Sequence, residues 1–353
     1  MAEIDAFLNE ILEKRGSDLH FIAGDPPRIR QFGDLIPLRP DKLTADFVKT
    51  TLFEIMPKPA VDRFEAKDGA DFAYTLADKG RFRVNVMRQL NGMGAVFRAI
   101  PSKALSLDQL KMPEAVRQMC RANNGLILVT GKTGSGKSTT LAAMIDDINL
   151  RVKGHILTIE DPIEFVHLRK SCLISQREIG VHSPSFASAL HSALREDPDV
   201  ILVGELRDLE TMSIAVTAAE MGILVMGTLH TNGAGPTVDR MINVFPSDKQ
   251  SHVRTMLSTS LRGVVSQQLL QKSDKQGRVA ALEILVNTPA SQNLIRQGKL
   301  DQLENVMQAG GAHGMRTMDT AIQQLLDSRQ VTGKEAYKKG INKARFEAVK
   351  DQG

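Results

Sequence analysis

The run Gly131-Lys132-Thr133-Gly134-Ser135-Gly136-Lys137-Ser138-Thr139 has the residue types and the spacing to hold a nucleotide. Gly131, Gly136, Lys137 and Ser138 fit G-x-x-x-x-G-K-[ST], in which glycines let successive backbone N–H groups wrap the α- and β-phosphates. Lys137 is expected to reach the β/γ-phosphates and the Ser138 hydroxyl to ligate Mg²⁺. The flanking residues supply what this chemistry needs. Residues 126–129 form an apolar, β-branched run that reads as a buried strand. Residues 139–145 read as the first turns of a helix whose dipole adds to the anion site. The alternative, an ordinary glycine-rich turn, is disfavoured by a complete motif set between a strand and a helix.

Hydrolysis of a γ-phosphoryl group also takes a cation, a group that positions or deprotonates water, and donors on the transferring oxygens. Glu205, closing Asp-Val-Ile-Leu-Val-Gly-Glu, stands where an acid can hold Mg²⁺ through water; the alternative is a helix cap. Glu164, in Glu-Asp-Pro-Ile-Glu, is the candidate for positioning or deprotonating the attacking water. Glu160 and Asp161 then orient the metal shell or fix the turn. His230, in Gly-Thr-Leu-His-Thr-Asn, can donate to the γ-phosphate and report its presence, or it is an ordinary structural histidine. His20, His155, His167, His182, His191, His252 and His313 show no metal-ligand spacing and read as structural.

These residues must be brought to one edge, and the periodicity predicts how. Strands over 156–159, 200–203 and 223–229 alternate with helices over 186–194 and 209–221, which argues for a parallel sheet covered by helices. Ligand chemistry then collects at the C-terminal ends of the strands, where Glu160, Asp161, Glu164, Glu205 and His230 fall. Past Ser247 the chain is expected to be largely helical, interrupted by one strand over 279–286, and to end in a Lys-rich amphipathic segment.

The first hundred residues read differently. Ile4, Phe7, Leu8, Ile11 and Leu12 make an amphipathic helix ending near Gly16, and a strand over 19–22 follows. After Pro26-Pro27 come an extended stretch around Ile29 and a Gly33-Asp34 turn. Thr44 caps a helix with Phe47, Val48, Leu52 and Ile55 on its apolar face, stopped by Pro57. Alternation in Phe72, Tyr74, Leu76 and in Phe82, Val84, Val86, around Asp78-Lys79-Gly80, predicts a hairpin, and a third strand spans 95–100. The sum is a small antiparallel α+β domain over 1–100, a Pro- and Ser-containing linker over 101–113, and a second domain over 114–353. In the hairpin, period two puts Arg81, Arg83 and Asn85 on the face opposite the core. They form either a solvated basic face or a pair of arginines offered to an anion in another domain or subunit.

Composition sets outer bounds. The 353 residues are 42% apolar and 24% charged, with a net charge of +4, which is mild and does not demand nucleic acid. Two or three domains suit that length. No apolar run approaches the roughly 20 residues of a membrane span. The acidic N-terminus reads as neither a signal nor a transit peptide, so a cytoplasmic protein is expected. Cys120 and Cys172 stand alone and read as buried small hydrophobes.

With these residues in view, the chain resembles the secretion-superfamily ATPases. The resemblance rests on four boxes in order: 131–141, Ile-Leu-Thr-Ile-Glu-Asp-Pro-Ile-Glu-Phe at 156–165, Leu-Arg-Glu-Asp-Pro-Asp-Val-Ile-Leu-Val-Gly-Glu-Leu-Arg-Asp at 194–208, and Gly-Thr-Leu-His-Thr at 227–231. They look like the Walker A, Asp, Walker B and His boxes. Ser-Asp-Leu-His at 17–20, Arg-Phe-Arg-Val-Asn at 81–85 and Gly-Ala-Val-Phe-Arg at 94–98 extend the likeness through the N-terminal domain, and the type IV pilus retraction ATPases are the most similar branch.

The resemblance implies a PAS-like N-terminal domain, a RecA-like P-loop NTPase domain with a helical C-terminal region over about 287–353, and a homohexamer with ATP and Mg²⁺ between subunits. It implies that Arg81 and Arg83 reach the nucleotide, that Glu164 is the catalytic glutamate, Glu205 the Walker B acid and His230 the His-box residue, with Arg195 and Arg240 near the site or its interface. The partners implied are an inner-membrane pilus platform protein and a second retraction ATPase, with the motor peripheral at the cytoplasmic face of the inner membrane. Two positions depart from the pattern: Lys132 stands where the family usually has proline, and Ala290-Ser-Gln-Asn-Leu-Ile-Arg-Gln297 only partly fits a stretch linked with retraction. Asn293, Leu294, Ile295 and Arg296 agree there; Ser291 and Gln292 do not. The rival readings are an assembly or type II secretion ATPase, which commonly carries a four-cysteine zinc insert and a longer N-terminal extension, an accessory retraction ATPase, a nucleotide-gated scaffold, and a nucleic-acid translocase. For the last, no Trp and two Tyr leave little for base stacking.

Overall fold

The computed structural model describes residues 2–31, 34–77, 79–100 and 104–352. Gly33 and Asp78 of the expected turns, and residues 101–103 of the expected linker, lie outside the described residues. The chain forms two compact units: residues 1–103 with 164–166, and residues 104–163 with 167–353.

The first unit carries α1 (Glu3–Glu13), β1 (Asp18–Ile22), β2 (Arg28–Gln31), β3 (Asp34–Pro37), α2 (Ala45–Ile55), α3 (Lys58–Lys67), β4 (Gly69–Leu76), β5 (Gly80–Gln89) and β6 (Gly92–Ile100). Its strands make an antiparallel sheet in the order β3-β2-β1-β6-β5-β4. One sheet face is apolar, with Phe21, Phe82, Val84, Val86 and Phe97 fully buried, because alternate residues of each strand point to the same side. Helix α1 lays Ile4, Phe7, Leu8 and Ile11 into the same core. Phe7 meets Phe21 edge-on at 5.2 Å, and Phe47 of α2 closes the cluster. Tyr74 of β4 donates to the buried Asp5 carboxylate at 2.6 Å and so ties the sheet to α1. Thr44 caps α2 as expected, accepting from the Phe47 N–H at 3.3 Å. Pro57 stops α2 but is also the N-cap of α3, a helix the sequence reading did not foresee. Its Pro59 sits in the first turn, where a missing N–H costs nothing.

The second unit begins with α4 (Glu114–Cys120), β7 (Gly125–Thr130), α5 (Lys137–Arg151), β8 (His155–Glu160), β9 (Leu173–Glu178), α6 (Phe186–Ala193), β10 (Val200–Val203), α7 (Leu209–Glu220) and β11 (Leu224–Leu229). It continues with α8 (Ala234–Asn243), α9 (Ser247–Ser260), β12 (Leu261–Gln271), β13 (Arg278–Val286), α10 (Pro289–Gln297), α11 (Leu303–Ala309), α12 (Met318–Asp327), α13 (Gly333–Lys339) and α14 (Lys343–Phe346). The sheet order is β13-β12-β7-β11-β10-β8-β9, parallel except for β13.

Every residue of β7, β10 and β11 is buried, as strands covered on both faces require. Leu107, Met112, α4 and α5 cover one face through Ile127, Val129, Ile145, Met226 and Val265. Helices α6 to α9 cover the other through Leu128, Ile159, Val203 and Val225. Two strands correct the sequence reading. The expected helical stretch past Ser247 ends at Ser260, and β12 runs for 11 residues between β7 and the edge strand β13. Its polar Ser-Gln-Gln interrupts the apolar run and hides the strand. Edge strand β9 was likewise not foreseen. Cys120 and Cys172 are buried and free. Among the described residues, no helix is long and apolar enough to cross a membrane.

Phe21 is fully buried against α1 and α2, so Phe21→Ala should destabilise the first unit by about 3–5 kcal/mol. Denaturant unfolding followed by circular dichroism measures the change.

Candidate functional site

The parallel strands release the chain at one edge, and the phosphate loop starts there. Gly131 and Gly136 adopt φ of +138° and +91°, conformations that side-chain-bearing residues rarely take. A Cβ on Gly131 would also meet the Gln267 carbonyl oxygen at 2.3 Å, and one on Gly136 the Gln267 Nε2 at 2.7 Å. Gly136 precedes α5, whose first turn has no side-chain cap. Lys137, only 9% exposed, turns its ammonium back over the loop, donating to the carbonyls of Gly131 at 2.9 Å and Lys132 at 3.3 Å. Backbone N–H groups and a placed ammonium around an open turn make an anion cradle. Lys132, Thr133 and Gly134 are exposed, Ser135 is buried, and Ser138 and Thr139 are half-buried.

Glu205 and His230, 25 positions apart in sequence, meet at the ends of neighbouring strands β10 and β11. His230 Nε2 lies 3.2 Å from Glu205 Oε1, and Arg207 Nη2 donates to Glu205 Oε2 at 2.6 Å. Partial burial pushes the Glu205 carboxyl up, but Arg207 and His230 outweigh it and hold its pKa below the ordinary 4.5. Glu205, with Asp161 more weakly, raises the pKa of Arg207 in turn. The helix-cap alternative for Glu205 is resolved against it. Asp208 caps α7, accepting from the Thr211 N–H at 2.8 Å. Arg240 of α8 reaches the Arg207 carbonyl at 3.4 Å. Arg207 lay inside a recognised box but was not singled out from the sequence.

Other expected residues sit elsewhere. Glu160 is buried at the end of β8, where Oε1 accepts from Thr158 Oγ1 at 2.7 Å and Gln176 Nε2 at 3.3 Å. Asp161 is exposed, and Arg195 follows the last turn of α6, its N–H donating to the Ser192 carbonyl. Exposed Glu164 belongs, with Phe165 and Val166, to the first unit. In that unit Arg81, Arg83 and Asn85 do share the face of β5 opposite Phe82, Val84 and Val86, with Arg83 Nε 4.0 Å from Asp71. On α10, Ile295 is fully buried, Leu294 half-buried and Asn293 and Arg296 exposed. Ser291, which departs from the family pattern, closes a capping box with Thr288, its Oγ accepting from the Thr288 N–H at 2.8 Å.

Three residues that sequence reasoning missed hold the loops. Gln267 of β12 donates through Nε2 to the Ser135 carbonyl at 2.6 Å and accepts from Thr140 Oγ1 at 2.8 Å. Ser266 Oγ accepts from the Gly233 N–H at 2.9 Å. Its cross-strand partner Glu283 accepts from the N–H groups of Ala234 at 2.7 Å and Met318 at 3.0 Å. The signal for Ser266 and Gln267 is the polar Ser266-Gln267-Gln268 set in an apolar run, a pattern that also marks an exposed loop, and for Glu283 it is a lone carboxylate within the apolar run of β13.

A family model described as type II/IV secretion system protein matches residues 1–345. The chain belongs to that family. It is 49% identical over 323 residues to the type IV pilus retraction ATPase PilT of Pseudomonas aeruginosa, covering 92% of this chain and 94% of that one. It is 39% identical to the type IV pilus ATPase PilU of the same organism, covering 95% and 87%. Among solved structures, the pilus retraction motor PilT with bound ADP matches with a TM-score of 0.91 at 41% identity, covering 99% of this chain and all of that one. The mixed α/β fold is therefore that of this ATPase structure.

A carboxylate depressed in the folded state adds stability above its ordinary value, and that contribution is lost as pH falls through the folded value. Arg207→Ala should raise the Glu205 pKa and flatten the loss of thermal stability below about pH 5, relative to wild type. Melting temperatures recorded from pH 7 to acid provide the comparison.

Proposed function

We propose that the protein is an ATP-hydrolysing motor that powers retraction of type IV pili, working as a ring of six copies with nucleotide between subunits. The observation that carries this reading is the 49% identity to a retraction ATPase across more than nine-tenths of both chains. The lower identity to PilU favours the main retraction role over an accessory one. In this reading the first unit is the family's PAS-like domain and the second its RecA-like domain.

The phosphate loop fits a nucleotide. Gly131 and Gly136 stand where side chains would clash, the Lys137 ammonium already rests on loop carbonyls, and the buried Ser135 Oγ has no hydrogen-bond partner among the described residues. Lys137 leaves the Gly131 and Lys132 carbonyls to pair with the β- and γ-phosphates. The Ser138 hydroxyl and the Glu205 carboxylate, the latter through water, would hold Mg²⁺, which when bound neutralises charge on the phosphates. A carboxyl kept below its ordinary pKa is anionic at neutral pH, which suits that task. Glu164 positions or deprotonates the attacking water. His230 donates to the γ-phosphate, and its 3.2 Å approach to Glu205 supports a shared response to that phosphate. Arg81 and Arg83 stabilise the charge that develops on the transferring group. Lys132 adds a cation beside the loop, and Glu160 and Asp161 fix the turn after β8. Arg195 and Arg240 serve the site or its subunit interface.

The stroke is passed to an inner-membrane platform protein that removes pilin from the fibre base, and this association holds the motor at the cytoplasmic face of the membrane. Asn293, Leu294, Ile295 and Arg296 of α10 lie in the region that couples to retraction.

Two experiments test the reading. Glu164→Gln should bind ATP with near-normal affinity yet turn over at least roughly a hundredfold more slowly; near-normal turnover would remove Glu164 from its role. In a strain lacking the gene, abundant surface pili without twitching are expected. Bald cells would replace retraction with assembly.

A further inference from the structure

We propose that β12 is the positioning element for both loops that face the phosphates, Gln267 setting the phosphate loop from one face of the sheet and Ser266, with Glu283, setting the His230 loop from the other. This deepens the ATPase reading and rests on it.

Ser266 and Gln267 are neighbours in a strand, so their side chains leave opposite faces. The register shows where: Ser266 pairs with Thr130 of β7, the last residue before the phosphate loop, and with Glu283 of β13. Gln267 is therefore level with the start of the loop. Its amide makes two hydrogen bonds that span the turn, one to the Ser135 carbonyl and one from the Thr140 hydroxyl on α5. These fix the loop and its helix relative to a strand more than 120 residues later in the chain. Gln267 also accounts for two glycines of the motif in a way that φ alone does not, since its backbone oxygen and Nε2 occupy the space where Cβ atoms of Gly131 and Gly136 would stand.

On the other face, Gly233 and Ala234 end the loop that carries His230 and open α8. Their N–H groups are held by Ser266 Oγ and Glu283 Oε1. Thr237 braces the same turn, its hydroxyl donating to the Gly233 carbonyl at 2.6 Å and lying 2.7 Å from Thr231 Oγ1. The second Glu283 oxygen takes the N–H of Met318, which opens α12. One carboxylate thus joins the His230 loop to the C-terminal helices. Ser266, Gln267 and Glu283 are each at most 5% exposed, so a displaced loop would leave a desolvated donor or acceptor unpaired. The strand therefore resists movement of one loop independent of the other, and a shift of α12 reaches the His230 loop through Glu283.

The test uses the purified full chain, ADP titration, steady-state ATPase kinetics and thermal melts without nucleotide. Gln267→Met keeps the volume and removes both hydrogen bonds; it should weaken ADP binding roughly tenfold. Thr140→Val should weaken it similarly, and Thr140→Ser, which keeps the hydroxyl, should bind as wild type does. Melting temperatures should shift by only about 2–4 °C, which separates positioning from general damage. Glu283→Gln can accept only one of the two N–H groups through its single oxygen, and should lower kcat at least roughly fivefold with ADP affinity unchanged. If Gln267→Met does not fold, the Thr140 pair decides; if Glu283→Gln does not, Ser266→Ala decides by the same kcat criterion. Wild-type ADP affinity in both Gln267→Met and Thr140→Val overturns the first half, and wild-type kcat in Glu283→Gln overturns the second. A wild-type chain that binds no nucleotide would defeat the ATPase reading itself.

Discussion

Covering both faces of the parallel strands is the constraint on which the second unit depends. Strands β7, β10 and β11 bury every side chain, so the interior leaves no place for an unpaired polar group. Polar chemistry is driven to the ends, and parallel direction brings the C-terminal ends of β7, β8, β10 and β11 to one edge. The phosphate loop, Glu205 and His230 emerge there as a consequence of how the sheet is packed. Ser266 and Gln267 lie at the same edge, as buried polar residues of β12.

The charges at that edge are arranged before any ligand is considered. Lys137 is almost fully buried, yet its ammonium has carbonyl acceptors, which lowers the cost of keeping a cation out of water. Glu205 has Arg207 and His230 on its two oxygens, and remains ionised despite partial burial. Both groups are held by partners that a phosphate or a cation can replace, so ligand exchange swaps one set of charge-assisted contacts for another. Asp208, one residue past Arg207, takes up the helix cap and leaves Glu205 available.

The first unit solves a different packing problem. Its antiparallel sheet buries one face under helices, and period two then presents Arg81, Arg83 and Asn85 together on the other. The arginine pairing with Asp71 is long and exposed, a contact of small energetic weight. Stability in this unit comes from the aromatic cluster around Phe21 and from Tyr74 on Asp5, on the side of the sheet opposite that arginine face.

The sequence by itself determined the local features whose physics is local: the phosphate loop with its strand and helix, the Thr44 cap, the hairpin alternation in β4 and β5, and the strand–helix alternation that makes a parallel sheet. It also determined the family, because four boxes recur in a fixed order. Tertiary structure decided what depends on distant partners. Strand β12 was unreadable because Ser-Gln-Gln is stable in a strand only when other elements satisfy it, and those partners lie as far away as Ser135, Thr140 and Gly233. Helix α3 and edge strand β9 were hidden by Pro57 and by mixed polarity. The pairing of Glu205 with His230 and Arg207, and the double hold of Glu283 on α8 and α12, likewise needed the strands set side by side. Spacing along a chain encodes the period of an element, whereas a buried polar contact is set by register between elements.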